Sequence, residues 1–185
     1  MEKFGPWQRI SRDKVYDNQW ITIYHDEVVT PGGSEGVYGI VSFKNIAIGI
    51  IPLDDNGHSW LVSQYRYALG RREYEIPMGG SPEGEDFLLA GQRELREECG
   101  IRAEKWTPLL QLNTTNSVSD ELGQVFVAEQ LSFGQQQLED SEADLQLHKL
   151  PFKTIYQWVL DGKIMDSISV AAVLKLGALR PALLV

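Results

Sequence analysis

GGSPEGEDFLLAGQRELREECGI, residues 79–101, reads as a loop that enters a helix. Pro82-Glu83-Gly84 is turn chemistry, Glu85 and Asp86 place negative charge where the positive end of a helix dipole would lie, and Gly100 is a C-terminal stop. The helix is therefore predicted over about 86–99. At about 100° per residue, Glu94, Glu97 and Glu98 fall on one face, and Leu88, Leu95 and Cys99 fall on an adjacent face suited to a core. Three carboxylates so close repel one another unless a cation compensates them, and hard oxygen donors suit Mg²⁺ or Mn²⁺. The competing reading is a solvated acidic face paired to Arg93 and Arg96, which the three glutamates alone would favour.

Spacing decides between the two. The stretch runs Gly79, five residues, Glu85, seven residues, then Arg93-Glu94-Leu95-Arg96-Glu97-Glu98-Cys99-Gly100-Ile101. This resembles the Nudix box without a departure, with Leu95 and Ile101 at its bulky aliphatic positions. The resemblance implies an α/β protein, a Nudix α/β/α sandwich with a mixed sheet and a small N-terminal β appendage. It also implies that Glu94, Glu97 and Glu98 hold Mg²⁺ (or Mn²⁺) together with the backbone carbonyl of Met78. Arg93 would orient a box glutamate, and Glu85 would be a further ligand or a helix N-terminal stabiliser.

Outside the box, Gln64-Tyr65-Arg66-Tyr67 and Tyr74-Glu75-Ile76-Pro77 resemble the Q-Y-R and E-x-P-x-G elements of the ADP-ribose and nucleoside-diphosphate-sugar pyrophosphatase branch. The resemblance runs from about residue 40 to 176. It implies that Arg66 contacts substrate phosphate or ribose and that Glu75 lies beside the metal cluster. In that branch a glutamate from a loop after the box serves as general base. LEDSEADL (138–145) lies at the matching place, and S-E-A-D-L aligns Glu142 with that role, ahead of Glu139 and Asp144. An exposed acidic loop held open by its own repulsion is the plain alternative. Glu121 is a weaker candidate. Asp166-Ser167-Ile168 lacks the lysine of the Asp-x-Lys found in members acting on GDP-mannose, which tilts the substrate toward ADP-ribose.

Composition sets the remaining bounds. The chain has 185 residues, 43 % hydrophobic and 23 % charged, which suits a globular protein with a substantial core. A net charge of −9 argues against nucleic acid as the main partner. The single cysteine, Cys99, excludes an intramolecular disulfide and reads as a small core residue. MEKFGPWQRIS lacks the apolar stretch of a signal peptide and no run approaches membrane-spanning length, so a cytoplasmic protein without membrane contact is expected. His25, His58 and His148 have no ligand spacing.

Residues 1–44 read as short strands and turns, an appendage that packs across a homodimer by the resemblance; Trp7 or Trp20 could stack on a purine base. By the resemblance, residues 45–185 would form the hydrolase domain. NIAIGIIPL (45–53) is a strand buried on both faces, Asp54-Asp55-Asn56-Gly57 a turn, and SWLVSQYRY (59–67) its returning partner. REYEIPMGG is a short strand leading into the box. KWTPLLQL (105–112), QVFVAEQL and residues 145–150 are further strands, and FKTIYQWVLDGKI and SISVAAVLKLGAL are helices. The expected reaction is Mg²⁺-dependent hydrolysis of a nucleoside diphosphate sugar to a nucleoside monophosphate and a sugar phosphate. Alternatives are a GDP-mannose-type substrate, a nucleoside triphosphate, a dinucleoside polyphosphate or capped RNA, and, more distantly, a ligand sensor without catalysis.

Overall fold

The computed structural model describes residues 2–185, which divide into two compact units. The first is the described part of Met1–Ile46 together with Asn113–Leu122. Its strands β1 (Glu2–Phe4), β2 (Trp7–Asp17), β3 (Ile21–Val29) and β4 (Glu35–Phe43) form an antiparallel sheet in that order. Here the structure differs from the expected short strands. β2 runs for 11 residues, hidden in the sequence because most of its side chains stay exposed and give no apolar alternation. The inclusion of 113–122 also differs from the 1–44 boundary. Asp120 takes the Ser42 hydroxyl at 2.6 Å and the Phe43 N–H at 2.9 Å, and Val41 N–H donates to the Val118 carbonyl at 2.8 Å. A loop that looked like a connection thus completes the edge of this sheet.

The second unit comprises Ala47–Leu112 and Gly123–Val185. Its elements, apart from the end residues of β5, β9 and β10 that fall in the first unit, are β5 (Asn45–Pro52), β6 (His58–Arg66), β7 (Arg71–Glu75), β8 (Met78–Pro82), α1 (Phe87–Cys99), β9 (Ile101–Asn113), β10 (Leu122–Phe133), β11 (Gln146–Pro151), α2 (Phe152–Leu160) and α3 (Ser167–Leu179). One sheet has the order β8-β5-β10-β9, with β5 and β10 parallel, and a second has the order β11-β6-β7, antiparallel. Successive residues of β5 face opposite ways. Ile48 meets α1, where a Cβ built on Gly91 would lie 3.4 Å from Ile48 Cγ2; Gly49 meets α3, where its Cβ would lie 3.2 Å from Ile168 Cγ2. Helices therefore cover both faces, as the expected α/β/α class requires. Ile51, Ile76, Val125, Phe152, Ile168 and Leu176 are central to the core.

Two local expectations are corrected. The Asp54–Gly57 turn forms, with Gly57 N–H on the Asp54 carbonyl at 3.0 Å and His58 N–H on Asp54 Oδ1 at 2.8 Å. Yet β5 and β6 share only the bridge Leu53↔Ser59 before they enter different sheets. Both are buried runs that need partners on both edges, and each finds two elsewhere. REYEIPMGG likewise divides into β7 and β8 at Ile76-Pro77. Proline has no N–H for the ladder, and the Ile76 N–H turns to Ser169 Oγ at 3.0 Å while the Pro77 carbonyl accepts from Ile50 at 2.9 Å. Among the described residues no helix is long and apolar enough to cross a membrane.

Candidate active site

α1 is held rigidly at both ends. Asp86 is its N-cap and takes the Leu88 and Leu89 N–H groups at 2.9 and 3.1 Å. Gly100 closes it in the left-handed region, φ 65°, where an added Cβ would lie 2.6 Å from the Gly134 carbonyl oxygen. The Gln137 N–H and the Gln136 side-chain amide satisfy the carbonyls of Glu97 and Glu98. These glutamines carry no signal in the sequence and were missed.

This frame sets the box glutamates against β8. A Cβ on Gly79 would sit 2.0 Å from Glu94 Cδ and 2.2 Å from both carboxylate oxygens, so the Glu94 side chain occupies the space that any other residue would fill. Glu98 is 1 % exposed and accepts the Met78 N–H at 2.9 Å on Oε2. It is thus the Met78 amide that meets a box glutamate here. Burial pushes the Glu98 carboxyl well above the usual range; the Met78 N–H opposes this, and the nearby Glu142 and Glu94 add to it. Burial also raises Glu94, against the pull of Arg93.

Arg93 gathers the rest. It donates to Glu94 Oε1 at 2.7 Å, to the Gly80 carbonyl at 2.8 Å, to Glu85 Oε2 at 3.1 Å and to Glu97 Oε2 at 3.3 Å, and these partners hold its guanidinium firmly charged. Glu85 is therefore a partner of Arg93, while Asp86 does the work at the helix terminus. Arg96 donates to Glu97 Oε1 at 3.0 Å. With Arg93 and Arg96 holding Glu97, and Glu98 turned to Met78, no three acidic, histidine or cysteine side chains converge at ligating geometry among the described residues. The donor set nonetheless fits a hard divalent cation. Glu94, Glu97, Glu98 and Glu142 crowd one region; Glu94 and Glu98 are buried, and their burial is incompletely offset by Arg93 and Arg66 respectively.

Arg66 and Glu75 lie beside this cluster. Arg66 Nε donates to Glu75 Oε1 at 2.8 Å and Nη2 to Oε2, a bidentate pair with Glu75 only 4 % exposed. The pair with Glu75 raises the Arg66 guanidinium, and the fields of Glu98 and Asp166 reinforce it. Asp166 itself caps α3 through the Ser169 N–H at 2.7 Å.

The acidic loop sorts its three carboxylates. Glu142 ends the single turn Asp140–Glu142 and acts on both Glu94 and Glu98. Glu139 opens that turn, its N–H facing Glu142 Oε2 at 3.4 Å. Asp144 is already committed to Arg72 and to the Tyr65 N–H, at 2.8 and 2.9 Å. Glu121 belongs to the first unit, where the Thr114 hydroxyl donates to it. Also in the first unit, Trp7 packs edge-on against Tyr38 and lines a cavity of about 260 Å³, whereas Trp20 is 60 % exposed. His148 faces the Ser63 hydroxyl at 2.8 Å, a packing role.

The chain resembles known proteins along most of its length. Residues 43–158 match the NUDIX domain, and residues 7–41 match the nucleoside diphosphate sugar hydrolase N-terminal domain. An ADP-ribose pyrophosphatase of Mycobacterium tuberculosis is 35 % identical over 93 % of this chain and 84 % of its own. One from Bacillus subtilis is 27 % identical over 89 % of each. A crystal structure described as an ADP compounds hydrolase superposes with a TM-score of 0.85 at 20 % identity, covering 98 % of both chains, a likeness of fold.

Proposed function

Because this chain belongs to the Nudix family of hydrolases, we propose that it cleaves the pyrophosphate bond of nucleoside diphosphate sugars, ADP-ribose above others, with Mg²⁺ (or Mn²⁺) as cofactor. The observation that carries the reading is the packing of the buried Glu98 and Glu94 against Met78 and Gly79, with the Arg66–Glu75 pair in the same field. Glu94, Glu97, Glu98 and the Met78 carbonyl would hold the cation, which when bound neutralises phosphoryl charge and activates a water. Arg93 keeps Glu94 and Glu97 in place through its direct ion pairs. Arg66, steered by Glu75, presents its guanidinium to a substrate phosphate or ribose. Glu142 takes the proton of the attacking water, and a nucleoside monophosphate and a sugar phosphate leave.

The ADP-ribose preference rests on the two pyrophosphatase relatives and on the Asp166-Ser167-Ile168 sequence. The protein acts on small nucleotides rather than nucleic acid, consistent with its net charge of −9, and works in the cytoplasm. It is a homodimer joined through the first unit, whose surface leaves Phe4, Trp20 and Val37 at least half exposed. Light scattering on the purified protein tests the dimer.

Product analysis tests the activity: ADP-ribose, GDP-mannose, ADP-glucose, a dinucleoside polyphosphate and dGTP are each incubated with Mg²⁺ and separately with Mn²⁺, with Glu98→Gln as control. AMP plus ribose phosphate from ADP-ribose, lost in the variant, is the expected result. Cleavage of dGTP or the polyphosphate alone would overturn the substrate assignment, and no turnover with either metal would favour a ligand sensor.

A further inference from the structure

The acidic loop that carries Glu142 returns to the sheet at a side-chain junction. β11 pairs with β6 with Gln146 opposite Ser63, and the same register carried further would set Asp144 opposite Tyr65. The ladder stops short of that point. The Tyr65 N–H donates to Asp144 Oδ2 at 2.9 Å, so a side-chain carboxylate replaces the backbone carbonyl of the next rung. The backbone is thereby free to turn, and the Leu145 N–H closes on the Glu142 carbonyl at 2.8 Å, with the Leu145 side chain buried.

Arg72 completes the junction. It lies opposite Tyr65 on β7, and its guanidinium donates to Asp144 Oδ2 at 2.8 Å, to the Asp144 carbonyl at 3.1 Å and to the Ser63 carbonyl at 2.8 Å. A half-exposed ion pair of this kind contributes little to stability by itself. What the fork does supply is geometry, because three donors from one planar group fix the loop backbone relative to β6.

We propose that Arg72 and Asp144 form a latch that positions Glu142 toward the box glutamates, and that both are positioning residues for hydrolysis. The proposal rests on the assignment of Glu142 as the base. Arg72 touches neither Glu94 nor Glu98, so it acts on turnover only through the backbones it holds, the loop at Asp144 and β6 at Ser63, and the double-mutant cycle with Glu142 separates the two routes.

The test is a double-mutant cycle of Arg72→Ala and Glu142→Gln in the full chain, with ADP-ribose and Mg²⁺, beside hydrogen exchange of residues 138–145 without metal or substrate. Arg72→Ala should lower kcat on the order of tenfold with KM little changed. It should speed exchange in 138–145 while leaving α1 protected. Arg72→Lys, which keeps the charge but loses the fork, should recover part of the rate. Added to Glu142→Gln, Arg72→Ala should cost nothing further, because a latch cannot misplace a base that is gone. A full, multiplicative loss in the double variant would show a general structural role and overturn the latch. So would an unchanged kcat in Arg72→Ala while Glu142→Gln is inactive. Full activity of Glu142→Gln would instead remove the base assignment, and the latch with it.

Discussion

Replacing Gly79 with alanine isolates the position of one carboxylate. The new Cβ would lie 2.0 Å from Glu94 Cδ, and carbon atoms rest at about 3.5–4.0 Å. The carboxylate must therefore retreat by about 1.5 Å. It lies at the end of a flexible side chain, so rotation relieves the clash and the fold survives. Leaving its buried site also releases Glu94 from desolvation, which offsets part of the loss of its 2.7 Å bond to Arg93. Melting temperature should then move by only a few degrees, about 4 °C or less. Activity should not be spared, since a misplacement of about 1 Å in a catalytic array can cost on the order of 100-fold. Steady-state kinetics with ADP-ribose over a Mg²⁺ titration should give kcat/KM lower by about 100-fold and a higher half-saturating metal concentration. Gly39→Ala, where an added Cβ meets open space, is the control. If Gly79→Ala folds and keeps kcat/KM within about threefold of the parent at the same Mg²⁺, the placement of Glu94 under Gly79 has no part in catalysis.

Other consequences follow from the same geometry. Glu98→Gln should abolish most turnover yet raise the melting temperature of the metal-free protein by roughly 2–6 °C, because a neutral amide keeps the Met78 hydrogen bond without the cost of burying charge; calorimetry in EDTA reads it, and a destabilised variant would contradict the buried-charge argument. Mg²⁺ should stabilise the parent by about 2.7 kcal/mol at a hundred times its dissociation constant, and Glu98→Gln much less; an identical thermal shift in both would move the metal elsewhere. In the first unit, Arg12 holds the buried Asp26 through two 2.7 Å bonds and lowers its carboxyl below the usual value. A lowered carboxyl contributes stability above its unfolded pKa, about 3.9, that is lost as pH falls through the lower folded value. Arg12→Ala should therefore cost about 2 kcal/mol at pH 7 and leave a shallower acid transition, as followed by urea melts from pH 7 to pH 2.

Much of the catalytic unit was legible from the chain because its information is local. Helix α1 was bounded correctly by Asp86 and Gly100, whose cap and left-handed turn depend on a residue's own backbone and side chain. The shared face of Glu94, Glu97 and Glu98 follows from the period of a helix, and the box spacing identified the family. The buried strand at 45–53 was visible as an apolar run, since both faces need covering.

Pairing was decided elsewhere. Whether β5 and β6 form a hairpin or part into two sheets depends on which distant strands satisfy their edges, and a two-residue periodicity is the same in either case. The break at Ile76-Pro77 depends on Ser169 standing ready to take an amide. Residues 113–122 joined the N-terminal unit because Asp120 finds Ser42 and Phe43, far away in sequence. The acidic loop is the clearest case. Likeness to the family's acidic loop put Glu142 ahead of Glu139 and Asp144, but nothing in the sequence shows that Asp144 is committed to Arg72 and the Tyr65 N–H while Glu142 lies close enough to act on Glu94 and Glu98. Sequence by itself determined the local conformations and the chemistry available, because backbone preference and helical phase act over a few residues. Tertiary structure alone decided which carboxylates are desolvated and which are paired, because those are energies of surroundings assembled from remote parts of the chain.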